Sequence, residues 1–206
     1  DKSVQQFIEA TAGDSPTPGG GSISALSGTL SAALAAMVAG VTYANPSYKK
    51  QKPLMEKIAI RAQQLAGELA ALVDEDSRSF DAFMAAVRLP QKTEAEKSAR
   101  QAAKEEAAIY MTEVPLRTLQ RAVDLLGLAD TLVQKGNVNA LSDSGVAALQ
   151  AEAAAWGAWY NVRINLPQIS DASRREALAT EATELLELIK KSSARIRRRL
   201  QNKLLS

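Results

Sequence analysis

The chain of 206 residues is long enough to bury one core without disulfides or metals and too short for two roomy domains, so a single helical domain over 1–206 is expected. It contains no cysteine and no histidine, which excludes thiolate nucleophiles, imidazole bases, disulfides and the usual zinc ligands and leaves acid–base chemistry to Asp, Glu, Lys or Tyr. The formal charge of +2 hides an uneven basic tail that would suit a polyanionic small ligand, and 46% hydrophobic but 4% aromatic residues with abundant alanine argue for closely packed helices.

A short helix is predicted from Val4 to Ala12. It ends at Gly13-Asp14-Ser15-Pro16-Thr17-Pro18-Gly19-Gly20-Gly21, where prolines restrict the backbone and glycines free it. A second helix then starts near Ser22 as N-cap and runs to about Ala44. No charge falls between Asp14 and Lys49, yet the segment is rich in Ser, Thr, Gly and Ala, so it reads as a buried core helix and not as a membrane span. Its small residues recur at Ser24, Gly28, Ala32, Ala36 and Gly40, a face that lets another helix approach closely.

Pro53 opens a long third helix that Leu89-Pro90 stops after Val87. Its Leu54, Ile58, Leu65, Leu69, Leu72, Phe80, Phe83 and Val87 keep helical spacing. Thr93 and Glu96 form a capping-box pattern for a helix through Tyr110, interrupted by Pro115, and a further helix is expected from Leu116 to Gln134. Lys135-Gly136-Asn137-Val138-Asn139 breaks the chain again. The next helix begins at Ser142 or shortly after and reaches Leu166-Pro167, and Ser170-Asp171 open a last helix that runs almost to the terminus.

No alternating strand pattern survives. The expected fold is therefore all-α, an up-and-down bundle of long helices, with an apolar excess that favours a homodimer. The cations Lys190, Lys191, Arg195, Arg197, Arg198, Arg199 and Lys203 crowd the last helix. Without interleaved aromatics they read as a solvated helix end that complements its own dipole, and no nucleic-acid or membrane partner is expected. The first residues, Asp1-Lys2-Ser3-Val4-Gln5, show no basic start before an apolar stretch, so a cytoplasmic location is expected.

Two loop-to-helix junctions hold the candidate chemistry. Thr17-Pro18-Gly19-Gly20-Gly21-Ser22 can aim backbone N–H groups at an anion or carbonyl, or serve only as a turn; no Lys follows to make it a phosphate loop. Gly136-Asn137-Val138-Asn139-Ala140-Leu141-Ser142-Asp143 packs amides, a hydroxyl and a carboxylate into a helix entrance, where Ser142 or Asp143 reads equally as a cap. Asn161 and Asn165 share one helix face within an apolar run, so they are either internally bonded or the polar part of a ligand site.

The run Ser15-Pro16-Thr17-Pro18-Gly19-Gly20-Gly21-Ser22-Ile23-Ser24-Ala25 resembles a signature of the formimidoyltetrahydrofolate cyclodeaminase and methenyltetrahydrofolate cyclohydrolase family. Further resemblances follow in family order at Val41-Thr42-Tyr43, Asp81-Ala82-Phe83, Arg88-Leu89-Pro90, Gly136-Asn137, Ser142-Asp143, Gly157-Ala158 and Asn161 through Leu166. Where members carry a cysteine before the Ser-Asp pair this chain has Ala140, and no formimidoyltransferase domain, to which animal relatives are fused, is expected in these residues.

The resemblance implies an all-α dimer acting on a tetrahydrofolate substrate, with no other cofactor and no metal. It implies a site built from Gly19, Gly20, Gly21 and Ser22 at the first junction and Asn137, Asn139, Ser142 and Asp143 at the second. The pterin is then expected near Asn137, Asn139, Asn161 and Asn165. Asp143 is the expected acid–base group, Ser142 its relay and Glu9 a second carboxylate, with Tyr43 against the ligand and Lys49, Lys50 and Lys52 near a glutamate tail.

Overall fold

A computed structural model describes residues 3–205; Asp1, Lys2 and Ser206, and with them that part of the leader-peptide reading, lie outside the described residues. Among those residues the chain is all helix: α1 (Val4–Thr11), α2 (Gly20–Ala44), α3 (Lys52–Val87), α4 (Glu94–Lys135), α5 (Leu141–Asn165) and α6 (Ala172–Leu204), joined by short loops and 3-10 turns.

The caps explain most boundaries. Ser3 and Gln6 form a reciprocal capping box on α1, and Thr93 and Glu96 form the predicted one on α4. Asp171 accepts the Arg174 N–H to open α6, and Glu105 of α4 accepts the N–H groups of Ser170 and Asp171 ahead of it. Those two backbone bonds hold the Glu105 carboxyl below its usual range.

The core runs along α2, α3, α4 and α5. Leu65, Leu69 and Leu72 of α3 meet Leu119, Leu125 and Leu126 of α4 and the alanine face of α5, and a second cluster around Met55, Ile58, Val38 and Leu132 fills the end of the bundle where α2 finishes. α2 and α5 run antiparallel and close. A Cβ on Gly28 would lie 3.6 Å from the Ala154 methyl, one on Gly157 would lie 3.2 Å from Ser24 Cβ, and the buried Ser31 hydroxyl donates to the Ala147 carbonyl at 2.7 Å.

Four expectations are corrected. The close-approach face of α2 is Gly20, Ser24, Gly28 and Ser31; Gly40 points into open space instead. α2 begins at Gly20 with Gly19 as its cap, and Ser22 is turned inward and buried. Neither Ser142 nor Asp143 caps α5, whose N-cap is Ala140; Asn137 accepts the Asn139 N–H and caps the preceding 3-10 turn. Finally, the interruption expected at Pro115 is absent, and α4 continues through it for 42 residues.

That continuity has a cause on another helix. Proline at 115 has no N–H to give the Met111 carbonyl, and a buried carbonyl left unpaired is costly. The Asn165 amide of α5 donates to that carbonyl at 2.8 Å and takes the place of the missing bond.

The basic helix end is largely used inside the protein. Arg195 and Arg199 pair with Asp130, which is only 8% exposed, Arg197 pairs with Glu152, and Lys203 donates to the last carbonyls of α4 at Val133 and Gln134. α2 is the one helix among the described residues long and apolar enough to cross a membrane; here it is packed between α3 and α5.

Candidate functional site

The glycine turn is held by side chains from two other helices. Gly19 has no side chain to cap α2, so the first turn of that helix needs an acceptor from elsewhere. Asp76 of α3 supplies it, accepting the Ser22 hydroxyl at 2.9 Å and the Ser22 backbone N–H. The contact is close enough to demand glycine: a Cβ on Gly21 would stand 2.5 Å from Asp76 Cγ and nearer still to Oδ1. Gly20 faces Asn161 of α5, whose Nδ2 would be 3.3 Å from an added Cβ.

Burial raises the Asp76 carboxyl above its usual range, against the hydrogen bonds from Ser22 that lower it. A carboxyl displaced in this direction lies closer to the range in which a group can both take and return a proton. Its route outward is short. Ser77 Oγ lies 3.3 Å from Ser22 Oγ, and Ser77 lines a cleft of about 530 Å³ together with Phe7, Thr17, Pro18, Val73, Asp74 and Arg78. The volume is in the range that takes a small-molecule ligand, and the wall combines an aromatic ring, a carboxylate, a hydroxyl and a guanidinium. The Thr17–Pro18 peptide bond in this wall is cis.

Next to this cleft, on the far side of α3, Glu75 accepts from Tyr110 and Arg117. Burial alone raises the Glu75 carboxyl, but the two donors outweigh it and hold the group below its usual range.

The second junction stands at the other end of the bundle. The Asn137 N–H donates to Thr42 Oγ1 at 2.9 Å and the Val138 N–H to the Tyr48 hydroxyl at 3.0 Å, so this segment covers the C-terminal end of α2. At 1.5 Å per residue, Ser22 and Thr42 are about 30 Å apart along α2, and Asp143 and Asn161 about 27 Å apart along α5. Within one protomer the two junctions therefore do not enclose one cleft.

Each expected site residue falls on one side of this division. Gly19, Gly20, Gly21, Ser22, Asn161 and Asn165 gather at the glycine turn. There Asn161 Nδ2 donates to the Gly157 carbonyl at 2.8 Å and Asn165 Nδ2 to Met111, which commits one end of each amide to structure. Glu9 sits on the exposed face of α1, bonded by Gln5, and does not line the cleft. Asn137, Asn139, Ser142, Asp143 and Tyr43 gather at the far end, where Lys52 Nζ lies 4.8 Å over the Tyr43 ring. Asn139, Ser142 and Asp143 are solvent-accessible.

Sequence reading missed Asp74, Asp76, Ser77 and Arg78. The signal was present: Leu65, Leu69 and Leu72 set an apolar period on α3, and Asp76 occupies the next position of that face.

The sequence profile described as Formiminotransferase-cyclodeaminase matches residues 3–184. The chain is 34% identical over 185 residues to the methenyltetrahydrofolate cyclohydrolase of Methylorubrum extorquens, covering 90% of this chain and 89% of that protein. It is 35% identical over 193 residues to the formimidoyltransferase-cyclodeaminase of Gallus gallus, 94% of this chain but only 36% of that longer protein. The crystal structure of formiminotetrahydrofolate cyclodeaminase from Thermotoga maritima superimposes with a TM-score of 0.88 at 28% identity, covering 98% of both chains.

Proposed function

The chain belongs to the formiminotransferase-cyclodeaminase family, and from that premise we propose that it closes the one-carbon bridge of tetrahydrofolate, converting 5-formimidoyltetrahydrofolate to 5,10-methenyltetrahydrofolate and ammonia. The observation that carries the reading is the hydroxyl chain from Asp76 through Ser22 to Ser77 at the wall of a ligand-sized cleft.

In the reaction, folate N10 attacks the formimidoyl carbon of the amidinium form. The C–N10 bond forms, the bond to the departing nitrogen breaks, and the N10 proton must reach that nitrogen for ammonia to leave. Asp76, Ser22 and Ser77 supply the relay: the chain takes the N10 proton at Ser77 and returns it to the leaving nitrogen, ending in its starting protonation state. Such a positioned proton transfer contributes about 10²–10⁴-fold in rate. The Arg78 guanidinium meets a carboxylate of the substrate, and Phe7 offers a ring to the pterin. No further cofactor enters this balance, and a cytoplasmic location fits a soluble folate substrate.

A second reading, hydrolysis of the methenyl bridge, is favoured by the Methylorubrum relative, whose length this chain nearly spans. Purified protein is incubated with each substrate while methenyltetrahydrofolate absorbance and ammonia are followed together. Rising absorbance with stoichiometric ammonia supports the first reading; falling absorbance without ammonia supports the second. If folded protein changes neither substrate, both fail. Asp76→Asn is expected to lower turnover at least a hundredfold with little loss of thermal stability, because removing a buried charge with a raised pKa takes away no favourable ionisation at neutral pH.

A further inference from the structure

A second cleft opens where α5 ends and α6 begins, and it shares no residue with the cleft beside Asp76. It holds about 480 Å³, with Arg163 and Leu166 of α5 on one side and Ala172, Arg175, Glu176 and Ala179 of α6 on the other. The four α6 residues recur at i, i+3, i+4 and i+7 and so form one face of that helix. On α5, Arg163 stands about 200° around the helix from Asn161 and therefore points away from the glycine turn that Asn161 meets.

The charges around this cleft are not taken up by the protein itself. The side chains of Arg163 and Glu176 make no hydrogen bond or ion pair among the described residues, and the Arg163 guanidinium lies over the Trp159 ring, 5.8 Å from its centre. Arg175 donates from one guanidinium nitrogen to the Ile169 carbonyl at 2.6 Å, which fixes the group while its remaining N–H donors stay unbonded among the described residues. Other cations of α6 differ: Arg174 turns to Glu113, Arg195 and Arg199 to Asp130, and Arg197 to Glu152. Between the charges the wall is aliphatic, with Leu166, Ala172 and Ala179.

Each part of this wall selects a chemical group. Two guanidiniums call for a carboxylate, which their N–H forks can hold. Glu176 calls for a cationic donor, and the aliphatic patch for an aliphatic group. A simple anion would suit the arginines but meet Glu176, and a simple amine would suit Glu176 but meet two arginines. A molecule that carries both charges on neighbouring atoms satisfies all three. We propose that this cleft binds a zwitterionic aliphatic α-amino acid, with its carboxylate on Arg163 and Arg175, its ammonium on Glu176 and its side chain against Leu166, Ala172 and Ala179. The inference rests on this cleft alone and does not depend on the folate reading.

Arg163 also gives the site an optical readout. The chain has two tryptophans, Trp156 and Trp159, whose rings lie 6.0 Å apart, so drawing Arg163 off Trp159 changes the intrinsic emission. The whole protein is titrated with L-leucine by calorimetry and by tryptophan emission. One site per chain is expected, with a Kd on the order of 1 mM, because Arg163 and Glu176 are exposed and solvated charges bind weakly. Isocaproate lacks the ammonium, L-leucinamide the carboxylate and glycine the side chain; each is expected to bind at least about tenfold more weakly. Arg163→Gln and Glu176→Gln are expected to weaken leucine binding by about tenfold or more, whereas Arg174→Gln, beside the cleft but outside its wall, leaves it unchanged. Circular dichroism checks that the variants are folded, and if one is not, the three analogues on wild-type protein decide the matter.

The proposal is overturned if leucine gives neither heat nor a change in emission. It is equally overturned if isocaproate or inorganic phosphate binds as tightly as leucine, which would make this a plain anion site, or if folded Glu176→Gln binds leucine as the wild type does.

Discussion

Adding a single methyl group at Gly21 tests how the glycine turn is built. In Gly21→Ala the new Cβ would sit 2.5 Å from Asp76 Cγ and 2.8 Å from Oδ2, so the carboxylate must move. Overpacking of this kind costs about 1–3 kcal/mol. Displacing Asp76 also breaks the Ser22 bonds that cap α2, and a hydrogen bond to a charged group contributes about 1.5–3 kcal/mol. The gain in helix propensity returns up to about 1 kcal/mol. The net loss is roughly 3 kcal/mol, a fall in Tm of about 6–12 °C for a domain of this size. Gly67→Ala and Gly127→Ala are the controls, because an added Cβ there meets nothing within 4 Å, and each is expected to stabilise by about 1 kcal/mol. Chemical denaturation of the three variants gives the comparison, with Asp76→Ala as the second arm of a double-mutant cycle. If Gly21→Ala matches the controls, or its loss is undiminished once Asp76 is truncated, then Asp76 does not dictate glycine at this position.

Three further outcomes follow from other contacts. Asn165→Ala leaves the Met111 carbonyl unpaired and should cost about 1–3 kcal/mol; in a Pro115→Ala background, where the residue-115 N–H is restored, denaturation should show most of that cost gone. Asp130→Ala should lower stability by roughly 2 kcal/mol, because it removes the carboxylate shared by two half-exposed guanidiniums, and calorimetry checks it. The Glu75 carboxyl is held below its ordinary 4.5 in the folded state, so it contributes stability above that value which is lost as pH falls through the folded pKa. Acid titration of unfolding should therefore be shallower below about pH 4.5 in Glu75→Gln than in the wild type.

Helix content, the caps at Thr93 and Asp171 and the family resemblance were legible because each is local: a periodic apolar face, a Thr-to-Glu capping box and a Pro-to-Gly run are read within a few residues. What the sequence hid was set by distant partners. Pro115 looks like a break until Asn165, fifty positions on, is seen to satisfy the Met111 carbonyl. Ser22 looks like a cap until Asp76 is seen to cap the same turn from another helix. The same blindness joined the two junctions into one pocket, since nothing in a linear motif records that α2 and α5 hold its halves at opposite ends. Asp76 itself was a missed opportunity, as a lone carboxylate on the leucine face of α3 is a local anomaly.

Hydrogen exchange with and without saturating tetrahydrofolate reads the location of the ligand directly. Slowed exchange is expected at the backbone amides of Thr17 and Gly19 to Ser24, with α6 unchanged. Protection confined to α6, with the glycine turn exchanging as in the free protein, would contradict a folate cleft at Asp76.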